Sequence, residues 1–212
     1  MENRKHTSLK DLAQALGVSI PTVSRALKDS PEISRELCAK AKELAKEMNY
    51  RPNPFAMSLR KNAPRIIGVV VPDIVTHFFA SILNGIENMA IANGYFVIIT
   101  TSHESYEHEK RNIENLVNMR VEGIIACLSQ ETTDFSHLSA LKNINMPLIL
   151  FDRVCLSDQF SSVIADGVQS AQMATQHLLD NGSKRVAFIG GANHLDIVKR
   201  RKHGYLEALR EN

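Results

Sequence analysis

The chain has 212 residues, of which 44% are hydrophobic and 23% are charged, a composition typical of a globular protein with one large or two modest domains. Its net charge of +2 is uneven: residues 1–65 carry 13 Lys and Arg against 7 Asp and Glu, whereas residues 66–212 carry 12 against 16, so the basic head is the part expected to meet a polyanion. The polar start and the short apolar runs argue against a secretory signal and a membrane span.

The three cysteines, Cys38, Cys127 and Cys155, show no CxxC spacing. An odd number of cysteines without a secretory signal fits reduced thiols in a cytoplasm, where such residues commonly fill small buried apolar positions. We therefore expect a cytoplasmic location.

Residues 7–27 are predicted to form two short helices with a tight turn between them. The apolar residues of the first helix recur at helical spacing and make one face: Leu9, Leu12, Ala13 and Leu16. Gly17 suits the left-handed end of that helix, Ser19 suits the N-cap of the second, and Pro21 falls in its first turn, where a missing N–H costs little.

The second helix is predicted to turn Val23, Ala26 and Leu27 inward. Six residues are then left outside or at the helix start: Ser19, Ile20, Pro21, Thr22, Ser24 and Arg25. This pattern is typical of a helix-turn-helix, in which the second helix enters a DNA major groove, although an ordinary helical hairpin shares it.

A third helix is predicted over residues 35–48, with Ser34 as its N-cap and an apolar stripe that a helix this short cannot bury alone. It therefore closes a three-helix domain over residues 1–52. Pro52 and Pro54 stop the helix from continuing, while Asn53 followed by Pro54 can cap a new one. We predict a hinge helix and linker over residues 53–64 that becomes ordered only with a partner.

From residue 66 onward, apolar runs of strand length alternate with helical patterns. Strands are predicted in residues 66–72, 95–100, 123–128, 147–152, 161–166 and 185–190. Helices are predicted in residues 78–92, 106–119, 135–142, 167–181 and 198–210. This alternation predicts an α/β fold, with a parallel sheet that has helices on both faces.

The polar segment before residue 162 is interpreted as a crossing between two lobes, a first lobe over residues 65–161 and a second over residues 162–212. The second lobe would contain only two β-α units. A parallel sheet of that size buries little apolar surface, so we expect this lobe to be incomplete.

The sequence contains none of the common catalytic or nucleotide-binding motifs that would support an enzyme. There is no GxGxxG after the first strand, no GxxxxGK[ST], no HExxH and no GxSxG. Gly190-Gly191 is better explained as a tight turn. His103 and His108 lie among Glu104, Glu107 and Glu109, which could form a metal cluster, but acidic residues at a helix start also suit the dipole. The sequence predicts no enzyme, cofactor or metal.

Ordered blocks along the whole chain resemble the lactose-repressor (LacI/GalR) family of bacterial transcription regulators. LKDLAQALGVSIPTVSRALKDSPEIS resembles the family's DNA-binding head, and NYRPNPFAMSLR its hinge. RIIGVVVPDIVTHFFASILNGIE, RVEGIIA, MPLILFDR and RVAFIGGANHLDIVKRRKHGY resemble its effector domain, which is similar to periplasmic sugar-binding proteins. The resemblance implies a regulator of the repressor type whose operator affinity is controlled by an effector. A stand-alone periplasmic ligand-binding protein is the alternative, against which the basic head and absent signal count.

The resemblance also assigns roles in DNA binding. Ile20, Pro21 and Arg25 match positions that read base edges, and Arg25 can bond guanine O6 and N7 as a bidentate donor. Ser19, Thr22 and Ser24 can hold phosphates. The linker residues implied to contact DNA are Asn53, Ala56 and Leu59, with Leu59 placed where the family inserts a leucine between minor-groove base pairs.

In the body, open α/β sheets bind ligands beyond the carboxyl ends of their strands. The effector candidates on that basis are Asp73, Phe78, Phe79, Cys127, Asp152 and Arg201. The two phenylalanines match family positions at the pocket mouth, and Asp152 and Arg201 match positions that bind hydroxyl-rich effectors. Core packing is the competing explanation for the phenylalanines, and membership of a solvated basic run is the competing explanation for Arg201.

The resemblance further implies the protein's assembly and partners. Two heads on a two-fold symmetric site require a dimer, so a homodimer on a palindromic double-stranded operator is expected. The helix over residues 79–90 is expected to contribute to the dimer interface. The small-molecule partner is expected to be a sugar or related metabolite.

Overall fold

The computed structural model describes residues 7–50, 65–156 and 158–211, and the chain divides after Ala63 into two compact units. We call the described residues 7–50 the head and residues 65–211 the body. The hinge predicted over residues 53–64, including Asn53, Ala56 and Leu59, lies outside the described residues. None of the helices within the described ranges is long and apolar enough to cross a membrane.

The head consists of three helices whose ends follow local sequence signals. They are α1 (Leu9–Leu16), α2 (Ile20–Ala26) and α3 (Arg35–Glu47). Ser8 and Asp11 form a reciprocal capping box at the start of α1, and Gly17 ends that helix at a left-handed φ of 65°. Ser34 caps α3 by accepting a hydrogen bond from the Leu37 N–H. The predicted helix-turn-helix and third helix are confirmed.

The head's core is small and is supplied by all three helices. Leu12 of α1 and Val23 of α2 are fully buried in it, and the partly buried Leu44 of α3 packs against them. Ala26 and Ala41 are also fully buried, in a neighbouring cluster between α2 and α3. Burying these faces leaves the opposite side of α2 exposed to solvent.

The body contains a five-stranded parallel sheet with strand order β2-β1-β3-β4-β5. The strands are β1 (Ile66–Val71), β2 (Phe96–Thr101), β3 (Gly123–Ala126), β4 (Leu148–Phe151) and β5 (Ser161–Val163). The helices are α4 (His77–Ala92), α5 (Tyr106–Asn118), α6 (Ser136–Asn143), α7 (Gly167–Asp180) and α8 (Asp196–Arg210). This is the parallel α/β architecture that the alternating pattern predicted.

Each face of the sheet packs against different helices. Ile124 and Leu150 lie on one face, in a cluster with Leu116 of α5 and Leu138 of α6. Val69 and Phe151 lie on the other face, in a cluster with Leu83 of α4. The continuous apolar runs of the strands follow from this arrangement, because both sides of a central parallel strand need apolar residues.

The prediction for β5 is wrong in one respect. This strand was expected to open a second lobe, but it pairs in parallel with β4, with Ile149 opposite Ser161, and so belongs to the first sheet. The expected boundary at residues 161 and 162 therefore cuts through a strand. Residues 64–212 form one compact unit, and a division into two lobes stays a prediction, with its boundary after β5.

The strand predicted over residues 185–190 is also wrong. This segment has no regular secondary structure, and Ile189 within it is 97% exposed. A strand requires a pairing partner, and no strand of the described sheet pairs with this segment. The segment instead lies along α8, where the Tyr205 hydroxyl donates to the Val186 carbonyl and Phe188 stacks on the Tyr205 ring.

Candidate DNA-binding surface and effector cleft

The start of α2 is held in shape by its own side chains. Ser19 has an extended backbone, and its hydroxyl accepts a 3.3 Å hydrogen bond from the Thr22 N–H. The two hydroxyl oxygens of Ser19 and Thr22 are 2.8 Å apart. Pro21 sits in the first turn, where its missing N–H would have no helical partner. The predicted N-cap is therefore confirmed, while phosphate contacts by these hydroxyls stay a prediction.

The outer face of α2 presents the residues predicted to face DNA. Ile20 and Pro21 are exposed, and Ser24 is partly exposed, whereas Val23 between them is fully buried. An exposed isoleucine beside a proline offers apolar contact to a thymine methyl group and no hydrogen bond. The face thus combines apolar contact, hydroxyl groups and one cation.

That cation is Arg25, in the last turn of α2. Its side chain is 60% exposed, and its Nη1 lies 2.9 Å from Oε2 of Glu32, whose side chain is 65% exposed. Arg25 is thus on the solvent side, as predicted, and has an acidic partner in the free protein that the sequence did not reveal.

In the body, the carboxyl ends of the strands bring charged residues together from distant parts of the sequence. Asp73 follows β1, Glu104 follows β2, and Asp152 and Arg153 follow β4. Glu104 and Arg153 form two parallel hydrogen bonds, Nη1 to Oε2 at 2.6 Å and Nη2 to Oε1 at 2.9 Å. Such a bidentate pair fixes both side chains in position.

The surroundings of Glu104 favour its charged form. Burial raises the pKa of Glu104, but hydrogen bonds from Arg153 and from the Gln130 N–H outweigh burial and leave the pKa below its ordinary value. Arg153 also donates to the Leu128 carbonyl at 3.2 Å. The pair therefore joins the ends of β2 and β4 to the loop after β3.

A buried polar network holds that loop from behind. Glu109 of α5 is fully buried, and its carboxylate accepts hydrogen bonds from the Ser129 N–H and the Thr132 hydroxyl, the latter at 3.0 Å. The His137 Nε2 lies 3.0 Å from the same carboxylate. Because a buried carboxylate is costly unless it is hydrogen-bonded, these contacts hold the loop against α5 and α6.

An open cleft of about 410 Å³, including its solvent-open part, lies where α7 and α8 meet the ends of β4 and β5. It is lined by Asp152, Ile164, Ala165, Gly167, Ser170, Asp196, Ile197, Arg200 and Arg201. Two predicted effector residues, Asp152 and Arg201, are thus brought together, although they are far apart in the sequence. Asp196 and Arg200 pair on the cleft wall, with Nε to Oδ2 at 2.5 Å.

Asp152 lies directly after β4. Its φ is +58°, a left-handed value that it shares with other turn residues of the described chain, among them Asp29 and Glu104. Burial raises the pKa of Asp152, and the positive charges of Arg153 and Arg201 oppose that rise. Asp152 lines the cleft together with Arg201, so its carboxyl group is placed to accept hydrogen bonds from a ligand there.

Asp73 has a structural role that the sequence did not predict. Its carboxylate accepts hydrogen bonds from the N–H groups of Val75 at 2.9 Å and Thr76 at 3.2 Å, and so shapes the turn before α4. The Val75 hydrogen bond is the main reason that the pKa of Asp73 lies below its ordinary value. Contact with an effector stays a prediction for Asp73.

The two phenylalanines have different environments, although they are adjacent in sequence. Phe78 is 50% exposed, whereas Phe79 is 7% exposed and packs edge-on against Phe151 in the core. The placement of Phe79 at the pocket mouth is therefore corrected in favour of core packing. Cys127 is likewise fully buried, and burial raises its pKa to about 12, so it is a protonated core residue and not a surface of the cleft.

Sequence reasoning missed Arg153, Glu104, Asp196 and Arg200. Arg153 follows the strand predicted over residues 147–152 by one residue, and Glu104 follows the strand predicted over residues 95–100 by four, so the rule that selected Asp152 could have found both. Asp196 was missed because α8 begins two residues earlier than predicted. Among the described residues, no group of three or more His, Cys, Asp or Glu is placed to hold a metal ion.

The two units together define a class of protein: a helix-turn-helix head joined to an α/β body with a charged cleft at its strand ends. A family described as "Bacterial regulatory proteins, lacI family" matches residues 8–53, and one described as "Periplasmic binding proteins and sugar binding domain of LacI family" matches residues 65–212. The chain belongs to the LacI family.

Two relatives and one solved structure illustrate the similarity. Catabolite control protein A of Priestia megaterium is 32% identical over 98% of this chain and 62% of its own length. The ribose operon repressor of Bacillus subtilis strain 168 is 32% identical over 96% of this chain and 60% of its own length. A crystal structure of the lac repressor dimer bound to operator and the anti-inducer ONPF is 26% identical, with a TM-score of 0.77 over 98% of this chain and 63% of that one. The chain thus spans less than two thirds of each.

Proposed function

We propose that the chain acts as a sequence-specific transcriptional repressor whose operator affinity depends on a small polar effector. The observation that carries this proposal is the outer face of α2, where a capped helix start and the exposed Arg25 are presented for a major groove. Family membership supports it, as does the naming of one relative as an operon repressor.

DNA recognition is proposed to use α2 as the reading helix. Ile20, Pro21 and Arg25 contact base edges, and the hydroxyls of Ser19, Thr22 and Ser24 contact phosphates. Asn53, Ala56 and Leu59 of the linker are proposed to add minor-groove contacts on the specific site. Selection of duplexes from a random pool tests this directly: recovery of one two-fold palindrome supports the proposal, and recovery of no shared sequence contradicts it.

The protein is proposed to bind its operator as a homodimer, since a two-fold site read by single heads requires two of them. An apolar groove between α4 and the sheet supports an interface at this face. That groove is lined by Ile67, Ile82, Gly85, Ile86, Met89, Ala90, Asn93, Tyr95 and Ile125. Sedimentation of the protein on a palindromic duplex measures the stoichiometry, and one protein chain per palindrome would refute the dimer.

The effector is proposed to be a sugar or related polar metabolite held by Asp152 and Arg201. The charged residues that line the cleft are balanced: Asp152 and Asp196 stand against Arg200 and Arg201, and Arg200 is paired with Asp196. A balanced cleft suits hydroxyl groups, which donate to carboxylates and accept from guanidinium groups, better than it suits a phosphate dianion.

Calorimetry with a panel of monosaccharides and their phosphate esters tests the effector proposal. Heat of binding from a neutral sugar, with none from its phosphate ester, supports it, and the reverse pattern contradicts it. The relatives are regulators, which supports the same role here in place of catalysis. A turnover assay with the bound sugar decides that point, since product formation would require an enzyme.

A further inference from the structure

Glu32 lies on the loop between α2 and α3, and the loop backbone holds it beside Arg25. The Ser30 N–H donates a 3.1 Å hydrogen bond to the Arg25 carbonyl, and the Ile33 N–H donates a 3.0 Å bond to the Ser30 carbonyl. Ile33 packs against the buried cluster formed by α2 and α3. The Glu32 carboxylate is therefore presented from an ordered backbone, tied to the residue whose side chain it contacts.

The two carboxylates of this loop have separate partners. Asp29 has a left-handed φ of 54°, and its carboxylate accepts hydrogen bonds from Lys42 Nζ of α3 at 2.7 and 2.6 Å. That pair fixes the loop to α3. Glu32 is left to pair with Arg25 on α2, at 2.9 Å.

The pair leaves Arg25 able to read a base. A guanidinium has five N–H donors in one plane, and Glu32 takes one of them at Nη1. The remaining donors include a complete edge that can bond guanine O6 and N7 together. Because Glu32 limits the orientations of Arg25 before binding, less side-chain freedom is lost when the guanine contact forms.

The same carboxylate opposes binding to DNA in general. A negative charge at a DNA-facing surface is repelled by the phosphates of any duplex. That repulsion is the same for correct and incorrect bases, so it lowers affinity for every duplex. The base preference itself comes from the orientation that Glu32 imposes on Arg25.

We propose that Glu32 is a specificity-determining positioning residue: it orients Arg25 toward one guanine and lowers the affinity for DNA in general. This inference rests on the proposed function, in which Arg25 reads a base edge. It assigns a role in DNA recognition to a residue outside the recognition helix.

The test compares the wild type with Arg25→Ala, Glu32→Gln and the double variant. Affinity is measured for four duplexes that differ only at the base pair whose preference Arg25→Ala relaxes, and for a random duplex. Glu32→Gln keeps the shape and removes the charge. It is expected to lower the preference at that base pair by about two- to fivefold, as an exposed ion pair allows, and to bind the random duplex more tightly. The double variant is expected to lose no more preference than Arg25→Ala.

Glu36→Gln is the matched control. It removes the same charge from the head, but from a residue that pairs with Lys40 on α3, at 2.8 Å, and not with Arg25. It is expected to leave the base preference unchanged, and thermal unfolding is expected to be unchanged in Glu32→Gln. An unchanged base preference in Glu32→Gln overturns the proposal, even if the variant binds all duplexes more tightly. The proposal is also overturned if the double variant loses more base preference than Arg25→Ala alone. If Arg25→Ala itself relaxes no base pair, the base-reading function of Arg25 fails and the role of Glu32 fails with it.

Discussion

Arg153 and Glu104 are 49 positions apart in the chain, yet their side chains form two parallel hydrogen bonds of 2.6 and 2.9 Å. Glu104 follows β2 and Arg153 follows β4, two strands that are separated in the sheet by β1 and β3. The pair therefore spans the carboxyl edge of the sheet next to the proposed effector cleft. Its integrity can be followed through pH and through ligand binding.

Acid should weaken the body through Glu104. Its folded-state pKa lies below the ordinary value of 4.5, so the stability that the ion pair contributes is present above that pH and is lost as pH falls through the folded-state pKa. Glu104→Gln should remove that contribution, which for a partly exposed pair is at most about 1 kcal/mol. The unfolding free energy of the variant should then fall less steeply below pH 4.5 than that of the wild type.

Glu87→Gln, on the exposed side of α4, is the control for that measurement. Its unfolding free energy should fall with decreasing pH as steeply as that of the wild type. If the unfolding free energies of Glu104→Gln and the wild type fall equally with decreasing pH, the ion pair contributes nothing to folding in solution.

Replacing Arg201 should weaken effector binding. Arg201 lines the cleft opposite Asp152, and a lost hydrogen bond from a charged donor costs about 1.5–3 kcal/mol, or roughly ten- to hundredfold in affinity. Calorimetry of Arg201→Ala with the sugar found for the wild type measures this. Lys202→Ala removes the neighbouring exposed charge and should bind normally. If both variants bind the sugar with equal affinity, Arg201 does not contact the effector and is only one of the solvated charges of its basic run.

Replacing Arg25 should affect the operator more than random DNA. Arg25→Ala removes a bidentate base contact, which contributes roughly 1–3 kcal/mol of discrimination at one base pair in each half-site. Competition binding against single-base operator variants measures the preference. Equal losses on operator and random DNA would identify Arg25 as a phosphate contact.

The crossing of α7 and α8 should depend on Gly204. A Cβ at this position would collide with the Val168 carbonyl oxygen of α7, which is backbone and cannot rotate away. Gly204→Ala should destabilise the body by about 1–3 kcal/mol or more, as overpacking does. Denaturant unfolding gives the value.

Gly85→Ala on α4 is the matched control for that substitution, because a Cβ there meets nothing within 4 Å. It should be neutral or stabilise by up to about 1 kcal/mol through helix propensity. A Gly204→Ala variant as stable as Gly85→Ala would contradict the close crossing.

The linker prediction follows from the family resemblance, since Leu59 lies outside the described residues. Leu59→Ala should weaken operator binding and reduce the DNA bend, because an inserted leucine unstacks a base step and the bend it creates adds contacts. Salt-dependent binding to random DNA should hardly change. Fluorescence energy transfer across the operator reports the bend. A variant with an unchanged bend but a lower melting temperature without DNA would make Leu59 a packing residue.

Local signals in the sequence determined where most elements begin and end. Ser19 caps α2 and Gly17 ends α1 because each effect involves atoms only a few residues away. The apolar runs likewise identified β1 to β4. The reason is clearest for β1, a central strand that is almost wholly buried and therefore needs apolar residues throughout, whereas β2 is an edge strand and is more exposed. The order of helix and strand then identified the parallel α/β class and the edge of the sheet where charged residues collect.

Only the tertiary structure decided which of those elements and side chains meet. Phe78 and Phe79 have the same local sequence, yet one is exposed and the other packs on Phe151, because burial depends on what lies opposite in space. The pairing of β5 with β4 and the absence of a strand at residues 185–190 likewise depend on which segments lie next to each other in space. The contacts of Arg25 with Glu32 and of Glu104 with Arg153 depend on how loops and strand ends are placed by packing, which no short window of sequence contains.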